Sequence, residues 1–66
     1  MILEFYSKEA GYLKQWYNWT GEIPQKGDIV VLHYGDNNEF HDEYEVLFRK
    51  ISGTEPDKII VDVKRI

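Results

Sequence analysis

The chain has 66 residues, no cysteine, and 8 Lys and Arg against 12 Asp and Glu, which gives a formal net charge of −4. This length allows one domain, residues 1–66, with a thin hydrophobic core. The lack of cysteine excludes disulfides and thiolate zinc sites. An acidic chain repels a phosphate backbone at long range, which disfavours nucleic acid as a partner. Aromatic residues make up 15% of the chain and supply bulk for packing.

The first residues indicate no membrane segment. They read Met-Ile-Leu-Glu-Phe, without the basic stretch of a signal peptide, and Glu4 interrupts the apolar residues early. We therefore expect no membrane association and a cytoplasmic location.

The first predicted strand runs from Ile2 to Tyr6, because Leu3 and Phe5 alternate with residues of the opposite face. Residues 7–11, Ser-Lys-Glu-Ala-Gly, then suit a hairpin connection that ends in a glycine.

An aromatic run follows at residues 12–19 and contains both tryptophans of the chain. Tyr, Trp and Thr favour strands, so we predict a returning strand here. A helix at about residues 8–19 is the alternative, because helical spacing gathers Tyr12, Trp16 and Trp19 on one face.

The clearest secondary-structure signal in the sequence is a turn followed directly by a strand. Ile23-Pro24-Gln25-Lys26-Gly27-Asp28 combines a proline with a glycine that tolerates positive φ, and an uninterrupted apolar run begins at Ile29. We predict a strand from Ile29 to Tyr34, with apolar side chains on both of its faces.

Two further strands are predicted towards the C-terminus. Gly35-Asp36-Asn37-Asn38 is a strong turn, and the next strand runs from Glu43 to Ser52 with Tyr44, Val46 and Phe48 on one face. A bulge near Arg49-Lys50 would reconcile Leu47 and Ile51 with that alternation. A loop at residues 52–57 precedes a last strand, in which Ile59, Val61 and Val63 alternate with Ile60, Asp62 and Lys64.

About five short strands in so small a domain predict an all-β fold. We expect a five-stranded antiparallel meander or an open barrel, SH3-like or OB-like. The helical alternative for residues 8–19 would make the fold α+β instead.

The histidines raise the question of a metal. His33 and His41 flank an acidic segment, but nothing in their spacing enforces convergence and the calcium-loop pattern fails. We interpret the segment as a solvated hairpin tip and predict no metal and no cofactor, with His33 and His41 as weak candidates. No motif activates a nucleophile, and no carboxylate pair stands out, so we predict that the chain is not an enzyme.

In a β-strand, alternate side chains point to opposite faces, and this parity divides the aromatic run into two sets of residues. We expect Leu13, Tyr17 and Trp19 to pack inward with Leu3, Phe5, Val46 and Phe48. Tyr12, Lys14 and Trp16 would then form an exposed recognition stripe, unless Trp16 packs under a connection.

Two functions compete. The first is an interaction module in which this stripe, together with Val30, Leu32 and Tyr34, binds a protein or peptide or a second copy of the chain. Strand addition at a sheet edge is one form of such binding. The alternative is single-stranded nucleic-acid binding, in which aromatic side chains stack on bases while Lys14, Arg49, Lys50, Lys64 and Arg65 meet phosphates.

Overall fold

The computed structural model describes residues 1–54 and 57–66 and contains five strands. They are β1 (Ile2–Ser7), β2 (Gly11–Trp16), β3 (Ile29–Tyr34), β4 (Phe40–Ile51) and β5 (Lys58–Arg65). The all-β prediction is confirmed, and the alternative helix at residues 8–19 is wrong. Gly11, at the start of β2, has a φ of 80°, a left-handed conformation that an α-helix does not contain. Within the described residues, no helix is long and apolar enough to cross a membrane.

The strands form one sheet in the order β2-β1-β5-β4-β3. Neighbouring strands are antiparallel except for β1 and β5, which pair in parallel. The sheet curls into a half-barrel, so the open-barrel prediction is confirmed. A meander is ruled out, because a long connection separates β2 from β3 and places them at opposite ends of the strand order.

The core lies on the concave face of the curled sheet. The parallel register pairs Leu3 with Ile59 and Phe5 with Val61, so the predicted alternations of the first and last strands face the same interior. The buried apolar side chains come from four strands: Leu3, Phe5, Leu32, Tyr44, Val46, Val61 and Val63. On the convex face, Lys58 Nζ lies 2.9 Å from Glu4 Oε2 and joins the parallel pair.

The predicted bulge in β4 occurs at a different residue. The register between β4 and β5 shifts between Val46 and Phe48, which leaves Leu47 as the extra residue. Val46 is buried, whereas Phe48 is 51% exposed and pairs with Asp62 on the convex face. The predictions of a bulge at Arg49-Lys50 and of an inward Phe48 are therefore wrong.

A tight turn delivers β3 as predicted. The Asp28 amide donates to the Gln25 carbonyl at 3.0 Å, and Gly27 has a φ of 93°, the value that a type II turn requires at its third residue. The Gly27 amide donates to the Val46 carbonyl and the Val46 amide donates to the Asp28 carbonyl, each at 2.9 Å. Gly27 and Asp28 thus lie opposite the single residue Val46. This arrangement is a glycine bulge at the start of the β3 and β4 pairing.

Two other predicted connections, at residues 35–38 and 52–57, also lie outside the strands. Residues 35–39 join β3 to β4, and Asn38 adopts a φ of 55°, as expected of an asparagine in a turn. Of the predicted loop at residues 52–57, residues 52–54 and 57 are described and lie between strands, whereas residues 55 and 56 lie outside the described part of the chain.

Candidate functional site

The predicted aromatic stripe is divided between the two faces of the sheet. The register between β1 and β2 shifts between Phe5 and Tyr6, so Tyr12 pairs with Tyr6 while Lys14 pairs with Phe5. Tyr12 is 58% exposed, whereas Lys14 and Trp16 are half-buried. The prediction that all three form one exposed stripe is therefore wrong, because this irregularity breaks the period of two.

Trp16 belongs to the packing of the core. Its ring meets Phe5 edge-on, with centroids 5.5 Å apart, and lies 5.6 Å from the ring of Trp19. Trp19 is half-buried against the core, as predicted, and its indole N–H donates to the Glu22 carbonyl at 3.2 Å. Tyr17 was expected inside but is 68% exposed, because β2 ends at Trp16 and strand parity no longer applies.

The three β3 residues predicted to bind lie on the concave side of that strand. Leu32 is buried and Val30 is half-buried against the core, so their predicted exposure is wrong, whereas Tyr34 is exposed. The exposed aliphatic side chains of β3 are instead Ile29 and Val31, at 52% and 47%. The sequence has apolar residues on both faces of this strand, and only the pairing with β4 distinguishes the inner face from the outer one.

β3 presents a free edge of backbone groups. It is the last strand in the sheet order and pairs only with β4 among the described strands. The Val46 amide bonds the Asp28 carbonyl, and the groups of an antiparallel strand point alternately towards and away from the partner. The amides and carbonyls of Ile29, Val31 and His33 therefore point away from β4. A side-chain contact agrees with this direction, because Lys14 Nζ donates to the His33 carbonyl at 3.1 Å across the opening of the half-barrel.

A cavity of about 290 Å³ lies where this edge begins. Its lining includes the apolar residues Ile23, Pro24 and Val30 and the acidic residues Glu22 and Asp28. Asp28 Oδ2 also accepts the Gln25 amide at 2.8 Å, which holds the turn beside the cavity. The cavity is thus lined by both apolar and acidic residues.

The surroundings of the β3 edge are acidic. Residues 27–48 contain six Asp and Glu and no Lys or Arg, so half of the 12 acidic residues lie in one third of the chain. On the convex face Glu45 pairs with Ile29, and Glu43 pairs with Val31. Lys64 lies opposite Glu45 and Arg65 bonds Asp42, so part of this charge is compensated from β5.

A pair of aromatic rings extends the apolar surface at the end of the hairpin. Tyr34 and Phe40 pair across the strands, and their rings stack with centroids 5.4 Å apart. Both side chains are about half exposed. Phe40 was not among the predicted site residues, because only the strand register reveals its position opposite Tyr34.

The structure brings the two histidines together. His33 and His41 pair directly across β3 and β4, and their ring centroids are 5.7 Å apart. Within residues 1–54 and 57–66, no group of three or more His, Asp and Glu side chains is arranged to hold a metal ion.

The basic residues of the nucleic-acid alternative do not form one surface. Lys50 and Lys64 lie on the convex face, whereas Lys14, Arg49 and Arg65 pair with residues of the concave side. Three of the five already have partners: Lys14 bonds the His33 carbonyl, Lys50 lies 3.3 Å from Asp62 Oδ2, and Arg65 lies 3.1 Å from Asp42 Oδ1.

A second cavity, of about 200 Å³, lies beside the β4 bulge. Ser7 lines it, but its hydroxyl already accepts the amides of Glu9 and Ala10, each at 3.3 Å. These bonds tie the Ser7 oxygen to the turn between β1 and β2.

No protein-family model, curated protein or solved structure matches the chain.

Proposed function

We propose that this chain is a non-enzymatic interaction module that binds a protein or peptide by adding a strand to the free edge of β3. The observation that supports this proposal is the edge itself, where Ile29, Val31 and His33 direct backbone groups away from β4. In strand addition, backbone hydrogen bonds supply affinity and pockets for alternate side chains supply specificity.

The side chains around the edge suit such a partner. Ile29 and Val31 present exposed aliphatic surface on the convex side. The cavity beside Val30 offers room for a partner side chain at the start of the edge. An added strand would therefore gain apolar contacts in addition to its backbone hydrogen bonds.

The negative charge near the β3 edge favours a basic partner. The acidic segment at residues 27–48 favours an extended segment that carries Lys or Arg between apolar residues. A long basic side chain can lay its aliphatic stem against Ile23 and Pro24 and direct its charge towards Glu22. A second copy paired edge to edge through β3 would instead bring two acidic segments together, so we favour a basic peptide over self-association.

The test is an NMR titration of the ¹⁵N-labelled chain with a short peptide that alternates lysine and valine. We expect the largest shifts at the amides of Ile29, Val31 and His33, and no binding by a peptide that alternates glutamate and valine. Sedimentation of the free chain, which we expect to be monomeric, checks the second-copy alternative.

Val31 provides matched variants for this titration. Val31→Pro removes an amide that bonds no neighbouring strand, so the fold should tolerate it and strand addition should fail. Val31→Thr keeps both the amide and the branched shape and should bind as the original chain does. Equal binding by the proline variant, or peptide shifts confined to residues away from β3, would overturn strand addition.

No observation favours the nucleic-acid alternative. Base stacking contributes roughly 1–3 kcal/mol per base, but only a positive groove brings the strand to the aromatic rings. The basic side chains of this protein are divided between two faces, and three of the five already have partners.

A further inference from the structure

The hairpin of β3 and β4 brings two metal-ligating side chains together, His33 and His41. The two residues pair across β3 and β4, their ring centroids are 5.7 Å apart, and the ring planes are tilted by 48°. Both side chains are exposed, so an ion would reach them from solvent. Sequence spacing alone gave no reason for this convergence, which depends on the register of the hairpin.

The backbone geometry favours chelation by these rings. His33 and His41 occupy a position where the backbone groups do not bond each other, and there the Cα atoms approach to about 4.5 Å and the side chains are closest. An ion about 2.1 Å from one nitrogen of each ring would place the ring centroids roughly 5 to 5.5 Å apart. The observed centroid distance of 5.7 Å is close to that spacing.

The geometry points to a two-histidine site for a divalent transition-metal ion that bridges β3 and β4. Imidazole suits Zn²⁺, Ni²⁺ and Cu²⁺, whereas Ca²⁺ and Mg²⁺ require oxygen ligands. Water completes the coordination, because no third His, Asp or Glu of the described residues converges on the pair. The acidic residues nearby add a favourable field for a cation without serving as ligands.

Binding at this site would hold β3 against β4. The two ligands belong to different strands, so the ion binds both of them only when β3 and β4 are paired, as in the folded chain. It therefore raises the stability of the folded chain by mass action. This inference is independent of the proposed strand addition, because the imidazoles lie on the convex face and strand addition uses the backbone edge.

The experiment is thermal unfolding and calorimetric titration of the chain without a histidine tag. Zn²⁺ and Ni²⁺ should raise the melting temperature and broaden or shift the imidazole signals of both histidines in NMR spectra. Ca²⁺ and Mg²⁺ at the same concentration should do neither. A melting temperature unchanged by Zn²⁺ and Ni²⁺ would overturn the site.

Single substitutions separate a chelate from two independent histidines. His33→Gln and His41→Gln should each weaken metal binding by at least about tenfold, because either change leaves a single imidazole ligand. Glu9→Gln, in the turn between β1 and β2, is the control and should leave affinity unchanged. If either histidine variant binds as tightly as the original chain, the two-histidine site is wrong.

Discussion

Gly27 connects a turn and a strand through one unusual backbone conformation. Its φ of 93° lies in a region that other residues adopt only with strain, and its amide bonds the Val46 carbonyl of β4. A Cβ at this position would meet no atom within 4 Å. Any cost of a side chain there comes from the backbone alone.

We expect Gly27→Ala to lower the free energy of unfolding by about 1–2 kcal/mol, the cost of the left-handed conformation. Gly53→Ala is the matched control, because Gly53 also has open space around it but no positive φ, and its effect should stay within about 0.5 kcal/mol. Urea denaturation measures both changes. Equal losses in the two variants would contradict the bulge geometry at Gly27.

The two tryptophans show where the prediction of a buried face from strand alternation fails. Trp19 was predicted to be core, whereas Trp16 was predicted either in the exposed stripe or packed under a connection. The structure packs Trp16 between Phe5 and Trp19. Parity identifies a face only while a strand is regular. Here the β1 and β2 register is irregular near Phe5 and β2 ends at Trp16, so parity fails on both sides of this residue.

At the scale of elements, the bulge in β4 changes which residues of the strand point to the core and which point to solvent. Leu47 is inserted between Val46 and Phe48, so Val46 lies in the core and Phe48 faces solvent. The longest strand of the protein can therefore contribute to the core at one end and present Phe48 and Lys50 outward at the other.

Two truncations test the position of this bulge. Val46→Ala should cost about 2 kcal/mol of stability, because it removes buried methyl groups and leaves a cavity. Phe48→Ala removes more atoms but should cost less, since that ring is half exposed. Urea denaturation of both variants gives the ranking. The reverse ranking would place Phe48 in the core and refute a bulge at Leu47.

The sequence predicted the positions of the strands better than the way in which the strands pair. The strand at Ile29–Tyr34 and the alternation of Ile59, Val61 and Val63 were readable, because turn residues and apolar periodicity are local signals. The parallel pairing of β1 with β5, the bulge at Leu47 and the meeting of His33 with His41 depend on contacts between distant segments. Periodicity within one strand carries no information about such contacts.

At the scale of the whole molecule, the half-barrel has an opening between its two end strands. β2 and β3 end the sheet order, and the Lys14 ammonium reaches across to the His33 carbonyl. Unpaired edges are a liability in β proteins unless they are covered or used. Lys14 covers one end of the β3 edge, and we propose that a basic partner uses the rest.

The most direct measurement of the free edge is amide hydrogen exchange of the monomeric chain by NMR. We predict alternation along β3: Val30 and Leu32, which point towards β4, should exchange slowly, and Val31 and His33, which point away, should exchange rapidly. Strong protection of Val31 and His33, equal to that of Val30 and Leu32, would show that the edge is covered and would contradict strand addition at β3.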